Sequence, residues 1–153
     1  MKPDKKTTVA LIFGGRSAEH EVSLTSAVGV LKHIDRDRFS VIPVKISREG
    51  IWYMLDRGRD FTSPDLLHRA SGDRIVPAYP NRKALINISA LEKGGDPYID
   101  IDIVFPLLHG TFGEDGTMQG ALALAGLPFV GSRTLSSSAA MDKVVAKQLF
   151  SCS

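Results

Sequence analysis

The chain has 153 residues, which suits one domain with its own core and the start of another. Hydrophobic residues make up 43% and charged residues 24%, the balance of a soluble globular protein. The net charge of +2 comes from 19 basic and 17 acidic side chains scattered along the chain, which excludes a footprint for nucleic acid or an anionic membrane. No apolar run approaches the roughly 20 residues of a membrane span. The first residues, Met-Lys-Pro-Asp-Lys-Lys, lead into a short strand-like run and not into a signal core with a cleavage site. The single cysteine, Cys152, excludes an internal disulfide or a thiolate metal cluster and fits a reducing cytoplasm.

Residues 8–13 (TVALIF) form a β-branched, apolar run that ends in Gly14-Gly15 and reads as a strand buried on both faces. Leu24, Ala27, Val28 and Leu31 then fall at helical spacing, with Ser17 as the expected N-cap and Glu19 and Glu21 in the first turn. A strand returns at 39–46, and strand, helix, strand at this spacing is a βαβ unit with parallel pairing. Ser47-Arg48-Glu49-Gly50 reads as a hairpin turn into a strand at 51–55. Residues 56–74 are polar and broken by Gly and Pro, while 75–79 and 84–88 are expected to pair around 80–83. Residues 47–100 therefore read as an inserted lobe, mostly antiparallel, with a loop at 94–97. A second buried strand follows at 101–108 (IDIVFPLL), then a glycine-rich loop at 111–116 and a helix over 117–125. The pattern ends with a short strand at 127–130 and one helix over 135–150, with Met141, Val145 and Leu149 on one stripe.

In open α/β sheets, ligands bind beyond the carboxyl ends of the strands. Two unusual segments lie there, residues 14–23 after the first strand and residues 109–116 after the later one. The first lacks the Gly-x-Gly-x-x-Gly of dinucleotide sites and the Gly-Lys-Ser/Thr of a P-loop. It places acids at a helix start, where the backbone N–H groups favour negative charge, and a carboxylate beside a crevice suits a substrate ammonium group. The plainer account is that Glu19 and Glu21 only offset the helix dipole, worth about 0.3–1 kcal/mol each. His109 ends a buried strand before flexible glycines, a position for function as much as for structure. Glu114 and Asp115 read equally as turn and cap residues, and Lys143 and Lys147 as a solvated basic face.

Four segments resemble the N-terminal signatures of the D-alanine–D-alanine ligases. They are Gly14-Gly15-Arg16-Ser17-Ala18-Glu19-His20-Glu21-Val22-Ser23-Leu24, the run from His109-Gly110-Thr111 to Met118-Gln119-Gly120, Leu127-Pro128-Phe129-Val130-Gly131-Ser132, and Met141-Asp142-Lys143. The resemblance spans about residues 8–150, and the hairpin with Trp52 after Gly50 is similar to the longer-lobed branch. It implies a Rossmann-like, pre-ATP-grasp fold: an α/β, mostly parallel sheet with an inserted antiparallel lobe. Residues 1–134 would be the substrate domain, with 47–100 as its lobe, and 135–153 the start of the ATP-grasp central domain.

The activity implied is ATP-dependent phosphorylation of one D-alanine carboxylate, followed by displacement of phosphate by the amine of a second D-alanine. The product enters peptidoglycan. By resemblance Glu19 holds the first D-alanine's ammonium, and His109 positions the reacting carboxylate and offsets developing charge. Val22, Ser23 and Gly110 complete the implied substrate contacts, and Lys143 reaches toward ATP phosphates. Magnesium and most of the ATP site belong to family domains that follow this region, so the chain alone is expected to be inactive. A homodimer is also implied. Two competing readings are a D-alanine–D-lactate ligase, which shares these motifs, and a non-enzymatic Rossmann-like module for a small ligand. A nicotinamide dehydrogenase domain is disfavoured by the missing glycine fingerprint.

Overall fold

The computed structural model describes residues 5–78 and 82–152. Within them one sheet holds seven strands in the order β6-β5-β4-β3-β2-β1-β7. These are β1 Thr7–Gly14, β2 Phe39–Ile46, β3 Trp52–Met54, β4 Asp73–Pro77, β5 Ala84–Asn87, β6 Tyr98–Asp100 and β7 Ile103–Leu107. β1 runs parallel to β2 on one side and to β7 on the other, so the three expected strands lie side by side. Beyond β2, every pair through β6 is antiparallel. Residues 47–100 thus extend the parallel sheet sideways, sharing its hydrogen-bond ladder. The turn expected at 80–83 falls partly outside the described residues.

The apolar run of β1 is explained by what covers it. Ala10 and Ile12 point to one face, against Ile42, Val44 and Val104 and under Met118 and Leu122 of helix α4, Thr117–Leu124 (numbered after α1–α3 below). Leu11 and Phe13 point to the other face, against Leu24, Ala27 and Leu31 of helix α1, His20–His33. A strand with a helix on each face and a partner on each edge has no polar side. The stripe read from Leu24 to Leu31 is the buried side of α1, apart from the half-buried Val28.

Three local expectations are corrected. Residues 56–74 contain a helix, α2 Pro64–Arg69, which starts with Ser63 accepting from Leu66 N–H and with proline at its first position. Its last carbonyls are met by Lys45, whose buried ammonium donates to Leu67 (3.3 Å), His68 (3.1 Å) and Ala70. Burial pushes the Lys45 ammonium below its usual pKa. A further short helix, α3 Ile88–Glu92, follows β5. The strand expected at 127–130 is only a bridge from Val104 to Phe129. The single helix expected at 135–150 is two, α5 Thr134–Met141 and α6 Lys143–Ser151. They break at Asp142, which leaves helical geometry at ψ 108° and accepts from the N–H groups of Val144 and Val145. An Asx cap of this kind satisfies two orphan donors, which a continuous helix would not need.

The fold is tested by contrasting two leucines. Leu24 is fully buried and Leu135 is 81% exposed. Urea denaturation of Leu24→Ala is expected to show a loss of about 2–5 kcal/mol. Leu135→Ala is expected to stay within about 0.5 kcal/mol of the parent.

Candidate functional site

Because β1 and β7 are parallel neighbours, the loops after them leave the same edge of the sheet side by side. Serine hydroxyls of the first segment tie them together. Ser23, fully buried on α1, accepts from Gly14 N–H (2.7 Å) and donates to the Leu107 carbonyl at the end of β7. Ser17 donates to the His109 carbonyl (2.7 Å) and accepts from Glu19 N–H (3.1 Å). Ser17, expected as the N-cap of α1, is instead a cross-loop clamp, and Glu19, expected in the first turn, occupies the cap position.

The Glu19 carboxylate makes no capping bond. It is exposed and lies against Gly110, where an added Cβ would stand 3.1 Å from Glu19 Oε2. Gly110 also has φ +69°, a conformation that disfavours any side chain. Its N–H is accepted by Glu114 (2.8 Å). A carboxylate with no hydrogen-bond partner among the described residues thus sits at the N-terminus of α1, beside the residue that follows His109. His109 itself is oriented from two sides. Its Nε2 is 3.0 Å from Ser26 Oγ, and its Nδ1 lies 4.0 Å from Glu114 Oε1.

His109 lines two cavities. One of about 220 Å³ also touches Gly15, Ser17, Trp52 and Phe112. The other, about 500 Å³, is bordered by Glu114, Gln119, Ser137 and Met141. Phe112 has φ +66°, rare for a side-chain residue, and its ring carries the Arg16 guanidinium at 5.0 Å. Asp115 holds this loop by accepting from Phe112 N–H (2.8 Å) and Thr117 N–H (3.0 Å). Partial burial pushes the Asp115 carboxyl up, but these donors outweigh it and hold the group below its usual value. Gln119 donates to the Gly113 carbonyl (2.8 Å) and leaves its buried Oε1 without a partner among the described residues.

The structure brings Glu19, Ser23, His109 and Gly110 together. Val22 is exposed in the first turn of α1. Lys143 opens α6, two residues beyond Met141 of the larger cavity, and the contacts described place it against neither Glu19 nor His109. Ser26 and Glu114 were not singled out from sequence as partners of His109. The available signal was helical spacing, since 19, 23 and 26 recur at i, i+4 and i+7 and share a face of α1.

A family model described as D-ala D-ala ligase N-terminus matches residues 8–132. The chain belongs to this family. It is 43% identical over 145 residues to a D-alanine–D-alanine ligase of Natranaerobius thermophilus, a match covering 95% of this chain and 39% of that protein. It is 42% identical over 155 residues to the Mycolicibacterium smegmatis ligase, covering 96% and 41%. Among solved structures, the D-Ala:D-Ser ligase VanG of Enterococcus faecalis superposes with a TM-score of 0.81 at 38% identity, over 97% of this chain and 42% of that one. The D-alanine–D-alanine ligase of Coxiella burnetii superposes at 0.83 and 32% identity, over 96% and 41%. The chain thus spans about two fifths of the length of these relatives. Their shared fold is the mixed α/β sheet described above. No helix among the described residues is long and apolar enough to cross a membrane.

The loop clamp gives a pH-dependent prediction. Asp115 has a lowered folded pKa, so its contribution is complete above the unfolded carboxyl value of 3.8 and fades as pH falls below it. Melting temperature measured against pH is expected to show Asp115→Asn less stable than the parent at neutral pH. The gap should close below about pH 3.8, where the parent carboxyl also takes up its proton.

Proposed function

We propose that this chain is the part of a D-alanine–D-alanine ligase that holds the first D-alanine, with Glu19 binding its ammonium and His109 placing its carboxylate. The observation that supports this most is the free Glu19 carboxylate at the N-terminus of α1, pressed against Gly110 beside His109. An ammonium there gains a charge-assisted hydrogen bond that no group among the described residues supplies. Ser26 fixes the His109 ring through Nε2, and Glu114 faces Nδ1. A ring held in this way stands ready to offset charge that develops at the reacting centre.

Within this proposal ATP activates the carboxylate by phosphorylation, and the amine of the second D-alanine then displaces phosphate, making the dipeptide for peptidoglycan. The described residues do not fit a magnesium–nucleotide site. Their one cluster of three ligand side chains is two histidines and a glutamate, while magnesium takes hard oxygen donors. The Asp142 carboxylate is spent on capping α6. We therefore assign magnesium and most ATP contacts to the three fifths of the ligase length that this chain does not span, with Lys143 as its one contribution. The chain alone is then inactive. A homodimer and a cytoplasmic setting belong to the same proposal. The apolar groove of Val9, Val30, Ile34, Phe39 and Phe105 is a surface that a second copy would cover. D-serine is the competing second substrate, since it is named for the Enterococcus structure.

The test uses this chain completed with the remainder of a relative's ligase. Glu19→Gln is expected to lower kcat/KM for the first D-alanine by on the order of a hundredfold, the loss of a charge-assisted bond in a closed site. A value within threefold of the parent would return Glu19 to dipole compensation alone. His109→Ala should cut turnover while melting temperature changes little. Full activity with collapsed stability would make His109 structural. Product analysis with D-alanine and D-serine in competition separates the two second substrates.

A further inference from the structure

At the start of α1, beside α2, lies a cluster that the ligase reading does not use. His20 and Glu21 open α1, and His68 belongs to α2. One ligand atom from each lies within 4.8 Å of the other two. An equilateral triangle of that side has its centre about 2.8 Å from each corner, so donors there reach zinc distances of about 2.0–2.2 Å by moving less than 1 Å. His68 and Glu21 are both more than half exposed, which leaves their side chains room for that movement.

Hydrogen bonding also favours coordination. His20 is buried, and its Nδ1 lies 2.7 Å from the Gly15 carbonyl. A carbonyl only accepts, so Nδ1 is the donor in this bond, and Nε2 is left as the nitrogen to bind a metal. A backbone carbonyl fixing the far nitrogen is the usual support of a metal-bound histidine. For His68 it is the backbone that is held, because buried Lys45 grips the carbonyls of Leu67, His68 and Ala70. The two rings meet edge to face with centroids 6.4 Å apart. Glu49 lines the cavity that both histidines share but lies outside the triad, which leaves the fourth position to water. The opposing feature is Arg48, 3.0 Å from Glu21 Oε1. This pair is half exposed, and exposed pairs are worth about 0–1 kcal/mol, so a metal displaces it at small cost.

We propose that His20, His68 and Glu21 form a binding site for a divalent metal of the zinc class, stapling the start of α1 to α2. Two imidazoles and one carboxylate suit zinc and not magnesium or calcium. The site is separate from any magnesium used in catalysis. Its structural consequence would be to brace the turn that presents Glu19, one residue before His20, against the antiparallel side of the sheet.

The experiment is zinc titration of the purified, tag-free, chelator-stripped chain in a Cys152→Ser background, which removes its one thiol. Calorimetry is expected to show one zinc per chain, and zinc should raise the melting temperature. His68→Ala and Glu21→Gln, both at exposed positions that leave the core intact, should each weaken binding at least about tenfold and abolish the thermal shift. Cobalt in place of zinc should give the visible absorption of a four-coordinate site, lost in His68→Ala. The proposal is overturned if no zinc binds at concentrations up to 100-fold above the chain. It is equally overturned if zinc binds with the same affinity to His68→Ala and Glu21→Gln. None of these three readouts involves turnover, so the metal site stands or falls apart from the ligase reading.

Discussion

The parallel pairing of β1 with β7, closed by the Ser23 hydroxyl, is the constraint on which the site depends. The hydroxyl joins the N–H of Gly14 to the carbonyl of Leu107, the last residues of β1 and β7. A buried polar group with both partners in place is costly to disturb, because breaking either bond strands a donor or an acceptor away from water. With the two strand ends locked level, Ser17 can reach the His109 carbonyl and Gly110 can lie against Glu19. Each residue proposed to touch substrate inherits its place from this closure. Ser23 therefore serves the site through its position beneath it, since its own hydroxyl has no exposed surface.

The same edge is bounded on its other side by the antiparallel strands. The β2–β3 hairpin brings Gly50 so close to the first loop that a Cβ there would stand 3.0 Å from the Arg16 side chain. Arg16 in turn covers the Phe112 ring of the second loop. Trp52, Phe112 and Leu108 then wall the smaller cavity beside His109. The hairpin is therefore part of the site's architecture, and residues 47–100 act through the shared sheet. Lys45 extends this logic to α2. Its ammonium spends its donors on a helix C-terminus and fixes the segment that carries His68.

Much of this was legible because it rests on local pattern. The uninterrupted apolar runs at 8–13, 39–46 and 101–108 mark strands covered on both faces, and each appears with its ends shifted by at most two residues. The hairpin at 47–50 follows from turn chemistry, and the α1 stripe from its 3.6-residue period. Misreadings arose where a short polar signal outweighed a longer pattern. The stripe of Met141, Val145 and Leu149 favoured one helix, but the Asp142 side chain competes with the backbone for the N–H groups of Val144 and Val145 and ends it. Ser63 and Pro64 start a helix inside a stretch that composition marked as irregular.

By itself, the sequence determined which segments are strands and helices, that two loops leave strand ends, and which family the chain resembles. These are properties of nearest neighbours and of motifs several residues long. Only the tertiary structure decided which distant groups meet. Ser26 reaches His109 across 83 positions, and His20 meets His68 because Lys45 draws α2 onto the sheet. Whether Glu19 is a spent cap or a free carboxylate was also decided there. That depended on Ser17 taking the Glu19 N–H and on a glycine at 110, whose missing Cβ leaves the carboxylate its space. Periodicity carries no information about such pairings, because they are set by how the sheet closes and not by what lies next along the chain.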